Sequence, residues 1–211
     1  MGSDFFSGLR PAIILTVLLT VLTCGVYPLV VMGIGKIAFA HQANGSLIVD
    51  NKGVITGSEL IGQSFTSDRY FNSRPSAAGK GYDSTASAGS NYGPTSKALV
   101  DRMKGDIAKY QAMAPGKPIP ADLVTASASG LDPDISPAAA LFQVPHLAKV
   151  RAIPEARLIA LVDASVDTPI LPFLGDPHVN VLALNRRLDQ LAAASAFPER
   201  PSGPAGLQGA R

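Results

Sequence analysis

Residues 11–35 read PAIILTVLLTVLTCGVYPLVVMGIG, twenty-five consecutive positions without a charge, bounded by Arg10 and Lys36. At about 1.5 Å of rise per residue such a helix spans roughly 37 Å, more than the roughly 30 Å hydrocarbon core of a bilayer. The stretch predicts a transmembrane helix over residues 11–40, preceded by a short segment, residues 1–10. A cleaved secretory signal is the alternative, with Arg10 as its positive region and Ala38-Phe39-Ala40 in the small-x-small form of a cleavage site. An apolar signal region is usually about 7–15 residues, and this run is far longer, which favours the anchor. Pro28 would break a soluble helix, but inside a membrane protein other groups can satisfy the freed carbonyl. Thr16, Thr20, Thr23 and Gly25 suit close helix packing and are equally ordinary in a single span.

Charge fixes the orientation weakly, because Arg10 on one side meets only Lys36 on the other. Long domains translocate largely regardless of charge, so the expectation is a cytoplasmic N-terminus and an exported main domain over residues 41–196. That stretch is long enough to bury one core. Cys24 is the only cysteine and lies in the apolar run, so the domain depends on packing rather than on internal disulfides. A net charge of +2, with no Lys/Arg cluster and no Trp, gives no sign of a nucleic-acid partner. Residues 197–211 are dense in Pro, Gly, Ala and Ser and read as a disordered tail.

Within the domain, Leu47-Ile48-Val49 and Val54-Ile55 flank Asp50-Asn51-Lys52-Gly53, a hairpin pattern. Gly57 to Gly93 shows neither helical nor alternating periodicity and reads as a long ordered loop region. Leu99, Met103, Ile107 and Tyr110 recur at helical spacing from Ser96 to Met113, with Thr95 or Ser96 as cap and Pro115-Gly116 as terminator. A second helix should start at Ser136 and Pro137 and run to Arg151, interrupted or kinked at Pro145. A third should run from Pro154 to about Val166. His178 to Leu184 alternates as a strand, after which Asn185 can cap a last helix through Ala194. The expected fold class is α+β: one N-terminal transmembrane helix followed by a small, helix-rich α+β extracytoplasmic domain.

Familiar catalytic patterns are missing: there is no Gly-x-Ser-x-Gly, no Ser-x-x-Lys, no His-Glu-x-x-His and no Gly-x-x-x-x-Gly-Lys-Ser/Thr. His41, His146 and His178 lie far apart in sequence, none with a ligand-spaced partner, and read as surface residues rather than metal ligands. Asp132 and Asp134 read as a turn leading into a helix N-terminus rather than as a catalytic carboxylate pair. Ala88-Gly89-Ser90-Asn91-Tyr92-Gly93 is an amide-rich turn that could cradle an anion or lend carbonyls to a cation, although such turns are common without any ligand.

Several segments together resemble one family, the C subunit of the bacterial Kdp-type potassium-transporting P-type ATPase. They are Leu9-Arg10-Pro11-Ala12-Ile13 with Val26-Tyr27-Pro28-Leu29; Gly62-Gln63-Ser64-Phe65 with Tyr70-Phe71-Asn72-Ser73-Arg74-Pro75-Ser76-Ala77; and Gly89-Ser90-Asn91-Tyr92-Gly93-Pro94-Thr95. Two more follow in order. These are Asp122-Leu123-Val124-Thr125-Ala126-Ser127 through Leu131-Asp132-Pro133 to Ile135-Ser136-Pro137, and Leu174-Gly175-Asp176-Pro177 with Val179-Asn180-Val181-Leu182. Departures stand at Ala128, where the family usually has Gly, at Asp134, where it has His, and at His146, where it has a basic residue.

The resemblance implies a non-catalytic, single-pass subunit of the bacterial inner membrane. Its partners would be a potassium-channel-like translocating subunit, a P-type ATP-hydrolysing subunit and the lipid bilayer. Potassium and ATP are implied at the level of the complex, with no cofactor assigned to this chain. The family is also described as a catalytic chaperone for ATP binding, and Gln143 lies where a nucleotide-contacting Gln has been proposed; a hydrogen-bonding role on a helix face is the other reading. Tyr70, Phe71, Arg74, Ser90 and Asn91 are candidates for a partner interface, since aromatic residues and Arg dominate binding hot spots. The alternative is that both rings fill the domain's own core and Arg74 orders the Gly-rich region.

Overall fold

The apolar run is helical throughout, and its one irregularity falls just before Pro28. The computed structural model describes residues 2–50, 52–171 and 173–196, with side-chain burial given for residues 7–193 except residues 51 and 172. Helix α1 (Gly2–Thr20) passes through a π-helical turn (Val21–Val26) into α2 (Tyr27–Ala38). From Ser7 to Ala38 this makes 32 helical residues whose apolar window has no buried position, about 48 Å of helix. Proline lacks an N–H, and in a regular helix its ring would strike the carbonyl four residues back. The π turn lies directly before Pro28, with Tyr27 N–H donating to Leu22 O five residues back, so the helix loosens where the proline has to be accommodated. Thr23 Oγ1 donates to the Leu19 carbonyl at 2.7 Å across the same turn.

After the one-turn helix α3 (Ala40–Ala43), strands β1 (Leu47–Val49) and β2 (Ile55–Ser58) pair antiparallel in the predicted hairpin. Asp50 Oδ1 accepts from the backbone N–H groups of Lys52 and Val54, both at 2.8 Å, and so shapes its turn. The polypeptide divides after Ser58 into two compact units.

The second unit is an α+β domain built around helix α5 (Pro137–Arg151), which buries Ala139, Ala140, Phe142, Gln143, Val144, Leu147 and Ala148. Ser136 Oγ accepts from Ala139 N at 3.1 Å, closing the predicted N-cap. Pro145 does not interrupt α5, which stays helical on both sides of it. The carbonyl that Pro145 leaves without its helical donor belongs to Leu141, an exposed position at which water can serve, while Val144 and Leu147 hold the helix by packing. Helix α4 (Lys97–Met113) begins after Ser96 as expected and adds Tyr110 to the core, and α6 (Glu155–Asp163) adds Leu158 and Val162. Short strands β3 (Asp134–Ile135), β4 (Val166–Asp167) and β5 (His178–Asn180) form an antiparallel sheet in the order β3-β5-β4. Ile135 and Val166 both pair with Val179, which is fully buried.

The strand expected from His178 to Leu184 ends at Asn180, and α7 (Val181–Ala196) starts at once. Asn180, not Asn185, supplies the cap, its Oδ1 accepting from Ala183 N at 3.0 Å. Val181, Leu184 and Leu188 then fall on one buried helical face, and burial of that face overrides the alternating pattern of the segment. The expectation for residues 197–211 lies outside the described residues.

Candidate functional site

Residues 59–96 carry no strand or helix, so their buried backbone groups need partners from elsewhere. Two buried side-chain amides supply them at consecutive residues. Asn185 Oδ1 accepts from Phe71 N at 2.8 Å while its Nδ2 donates to Phe71 O at 3.0 Å. Gln143 Oε1 accepts from Asn72 N at 2.8 Å while its Nε2 donates to Asn72 O and Ala139 O, both at 3.2 Å. Each amide thus imitates a neighbouring strand, and the pair clamps the 70–74 segment between α5 and α7. Gln143 and Asn185 are only 1% and 2% exposed, and Phe71 not at all.

Arg74 leaves the clamp and ties down the loops that follow. Its Nη1 pairs with Asp132 Oδ2 at 2.8 Å and its Nε donates to the Thr125 carbonyl at 3.4 Å. Tyr82 donates its hydroxyl to the Arg74 carbonyl, and Ser76 Oγ donates to Gly130 O at 2.6 Å. Gly62 N donates to Leu131 O at 2.8 Å and Ala88 N to Ser129 O at 3.0 Å, which threads the 125–132 segment between two parts of the long loop. The approach is close enough to require glycine at residue 130, where φ is +66° and a Cβ would lie 2.6 Å from both Ala78 N and Ala88 O.

Tyr70 occupies a different setting. Its hydroxyl donates to Asp189 Oδ2 at 3.0 Å, the Arg151 guanidinium stacks 4.7 Å from its ring centroid, and Arg151 Nη1 pairs with Asp189 Oδ1 at 2.8 Å.

A cleft of about 390 Å³ opens beside the clamp, lined by Asn72, Ser73, Arg74, Tyr82, Asp106 and Lys109 among others. Lys109 Nζ donates to Asn72 Oδ1 at 3.2 Å and sits 5.1 Å from the Tyr110 ring centroid. Burial raises the Asp106 carboxyl above its ordinary range, opposed by Arg102 and Lys109. Burial likewise raises the Tyr110 phenol, with Asp106 adding to the effect. Across the sheet, Asp134 is raised by burial, with His178 acting against it and Asp132 with it. Asp132 and Asp134 are joined by a turn, Asp134 N donating to Asp132 Oδ1 at 3.1 Å, as the sequence suggested.

The predicted site residues therefore separate. Phe71, Arg74 and Gln143 meet in the clamped segment, and all three are engaged within the chain. Phe71 is enclosed in the core, whereas Tyr70 keeps accessible surface. Gln143 spends its amide oxygen and nitrogen on backbone. Tyr70 is half-buried, Ser90 half-buried and Asn91 exposed, Asn91 at a φ of +51°. His41, His146 and His178 lie on α3, α5 and β5, and among the described residues no group of three or more His, Cys, Asp or Glu could hold a metal ion. Sequence reasoning missed Asn185 and Asp189, whose partners Phe71 and Tyr70 lie more than a hundred residues away.

The comparisons with known proteins agree with one another. The family described as "KdpC: K+-transporting ATPase, c chain" matches residues 9–190. The chain is 56% identical over 183 residues to the "Potassium-transporting ATPase KdpC subunit" of Caulobacter vibrioides (strain NA1000 / CB15N), with 87% of this chain and 93% of the relative covered. It is 54% identical over 196 residues to the protein of the same name from Methylobacterium nodulans, covering 87% and 97%. For that of Rhodopseudomonas palustris the identity is 49% over 195 residues, covering 87% and 96%.

Proposed function

We propose, for a chain that belongs to the KdpC family of K+-transporting ATPase subunits, the role of a non-catalytic accessory subunit that supports assembly, potassium entry and coupling to ATP hydrolysis in a high-affinity potassium importer. One observation carries the reading: the family match runs from residue 9 to residue 190 and so takes in both the apolar helix and the α+β domain. The helix anchors the chain in the bacterial inner membrane, with a cytoplasmic N-terminus and residues 41–196 outside. Its partners there are a potassium-channel-like translocating subunit and a P-type ATP-hydrolysing subunit, which between them handle potassium and ATP.

The clamp bears on how this chain could raise ATP affinity. Gln143 is 1% exposed and fully engaged, and an exported domain is separated from ATP by a barrier of roughly 30 Å. Any effect on ATP affinity is then a coupling between distant sites, typically about 1–3 kcal/mol. Tyr70, Ser90 and Asn91, with accessible surface, are the better candidates for partner contact.

The test is purification of the tagged chain in mild detergent from its native membrane, grown at low potassium, with mass spectrometry of what stays bound. Recovery of a P-type ATPase and a potassium-channel-like protein is the expected result. Recovery of the chain alone, with both others expressed, would overturn the reading in favour of an anchored extracytoplasmic binding module.

A further inference from the structure

The connection from β4 to β5, residues 168–177, carries an apolar tip at its centre. Ile170 is 97% exposed, Phe173 79%, Leu174 64% and Leu171 44%, although each is a side chain that folding ordinarily hides. The base of the connection is fixed: Val166 and Asp167 pair with Val179 and His178, and Val179 is fully buried. Within the tip, Leu174 N donates to Leu171 O at 2.9 Å. Along the chain its flanks are acidic, with Asp167 and Asp176 at the base and no Lys or Arg between Arg157 and Arg186, and the nearest cation on a neighbouring element, Arg187, is engaged at the foot of β4 with Ala164 O and Ser165 Oγ, both at 2.9 Å.

We propose that Ile170, Leu171, Phe173 and Leu174 seat in an apolar pocket on a protein subunit of the complex, a pocket whose mouth carries basic side chains. The inference rests on the subunit reading above. An apolar centre within a charged rim is the anatomy of protein interfaces. The sign of the rim selects among occupants. Anionic lipid surfaces attract segments flanked by Lys and Arg, and membrane-interface segments favour Trp and Tyr, whereas this loop has acidic flanks and neither aromatic residue. A second copy of the chain would set Asp167 and Asp176 against their own kind. A basic-rimmed partner satisfies both the tip and the rim.

The experiment places a photoreactive phenylalanine analogue at residue 173 of the full chain, expressed with its complex in native membranes. Crosslinking to an identified subunit of the potassium-transporting ATPase is expected, with a severalfold lower yield in an Asp176→Lys background. In a preparation from which partners co-purify, crosslinks to lipid alone, to a second copy, or to nothing would overturn the inference, as would a higher yield with Asp176→Lys. Because the tip is exposed, the double variant Ile170→Ser/Phe173→Ser should melt like the parent and lose on the order of tenfold in partner recovery; undiminished recovery would also overturn it. If partners fail to co-purify with the unaltered chain, the subunit reading falls first, and this inference with it.

Discussion

Replacing Asn185 by Leu tests the clamp with little change of volume. The variant removes an acceptor 2.8 Å from Phe71 N and a donor 3.0 Å from Phe71 O, at a residue that is fully buried. A buried polar group left without a partner costs about 1–3 kcal/mol, and two are left here, so the loss should be about 2–5 kcal/mol, lessened by any relaxation of the loop. Domains are stable by about 5–15 kcal/mol, so the protein should still fold, with its melting temperature lower by about 5–15 °C. Hydrogen exchange on the full chain in detergent reports the same event locally: the Phe71 amide should lose protection by a factor on the order of 10² or more while amides in the middle of α4 change far less. Gln143→Leu should act in the same way on the Asn72 amide. Because the two amides grip neighbouring residues, the double variant should cost less than the sum of the single ones. Unchanged protection at Phe71, or a loss of stability below about 0.5 kcal/mol, would refute the claim that these side chains hold the loop.

Three further outcomes follow from the same geometry. Gly130→Ala should cost more than about 3 kcal/mol, since φ is +66° and the new methyl would meet two backbone atoms at 2.6 Å; chemical denaturation measures it. Asp134→Asn should stabilise the chain near neutral pH. The raised carboxyl holds a proton in the folded state that the unfolded chain has already released, so stability falls as pH climbs from the ordinary value of about 3.9 through the raised one. The gain should vanish below that ordinary value, and melting curves taken across pH will show whether it does. Arg74→Ala breaks the ion pair with Asp132 and should destabilise by about 1–2 kcal/mol while partner recovery in mild detergent stays unchanged; lost recovery with normal stability would return Arg74 to the partner interface.

Where one strong local signal acted, the sequence was readable. Ser136 and Pro137 start α5, the apolar positions from Leu99 to Tyr110 mark α4, and the Asp50 turn joins two strands. Where two local signals competed, the fold decided. Val181 to Leu184 satisfies a period of two and a period of 3.6, and only the burial of Leu184 and Leu188 beside Val179 selects the helix. With the helix starting early, Asn185 was free for another use, and a polar residue one turn inside a helix gives no hint of a backbone partner 114 residues away. The contacts of Arg74 and Tyr70 were equally hidden, because Asp132 and Asp189 become partners only after the core has closed.

The composition of the long loop takes on a different meaning beside these bonds. Gly, Ser, Asn and Asp between Gly57 and Gly93 are the residues of an anion or cation cradle, yet in this domain several of their polar side chains bond to the chain itself, some half-buried and some at the surface. Ser76 donates to Gly130 O and accepts from Ala78 and Tyr82 backbone N–H groups, Asp83 accepts from Thr85, and Ser87 donates to Ser129 O. A segment without strands still has to place its buried N–H and C=O groups, and short polar side chains are the groups that can reach them. Two strand-like grips from Gln143 and Asn185 then fix the segment's entry, and the Arg74–Asp132 pair fixes its crossing with residues 125–132. A loop held at so many points has given up its freedom before any partner arrives, so binding through its exposed residues would cost little ordering entropy. The part of the domain with the least regular secondary structure is therefore ordered by side-chain hydrogen bonds rather than by a backbone ladder.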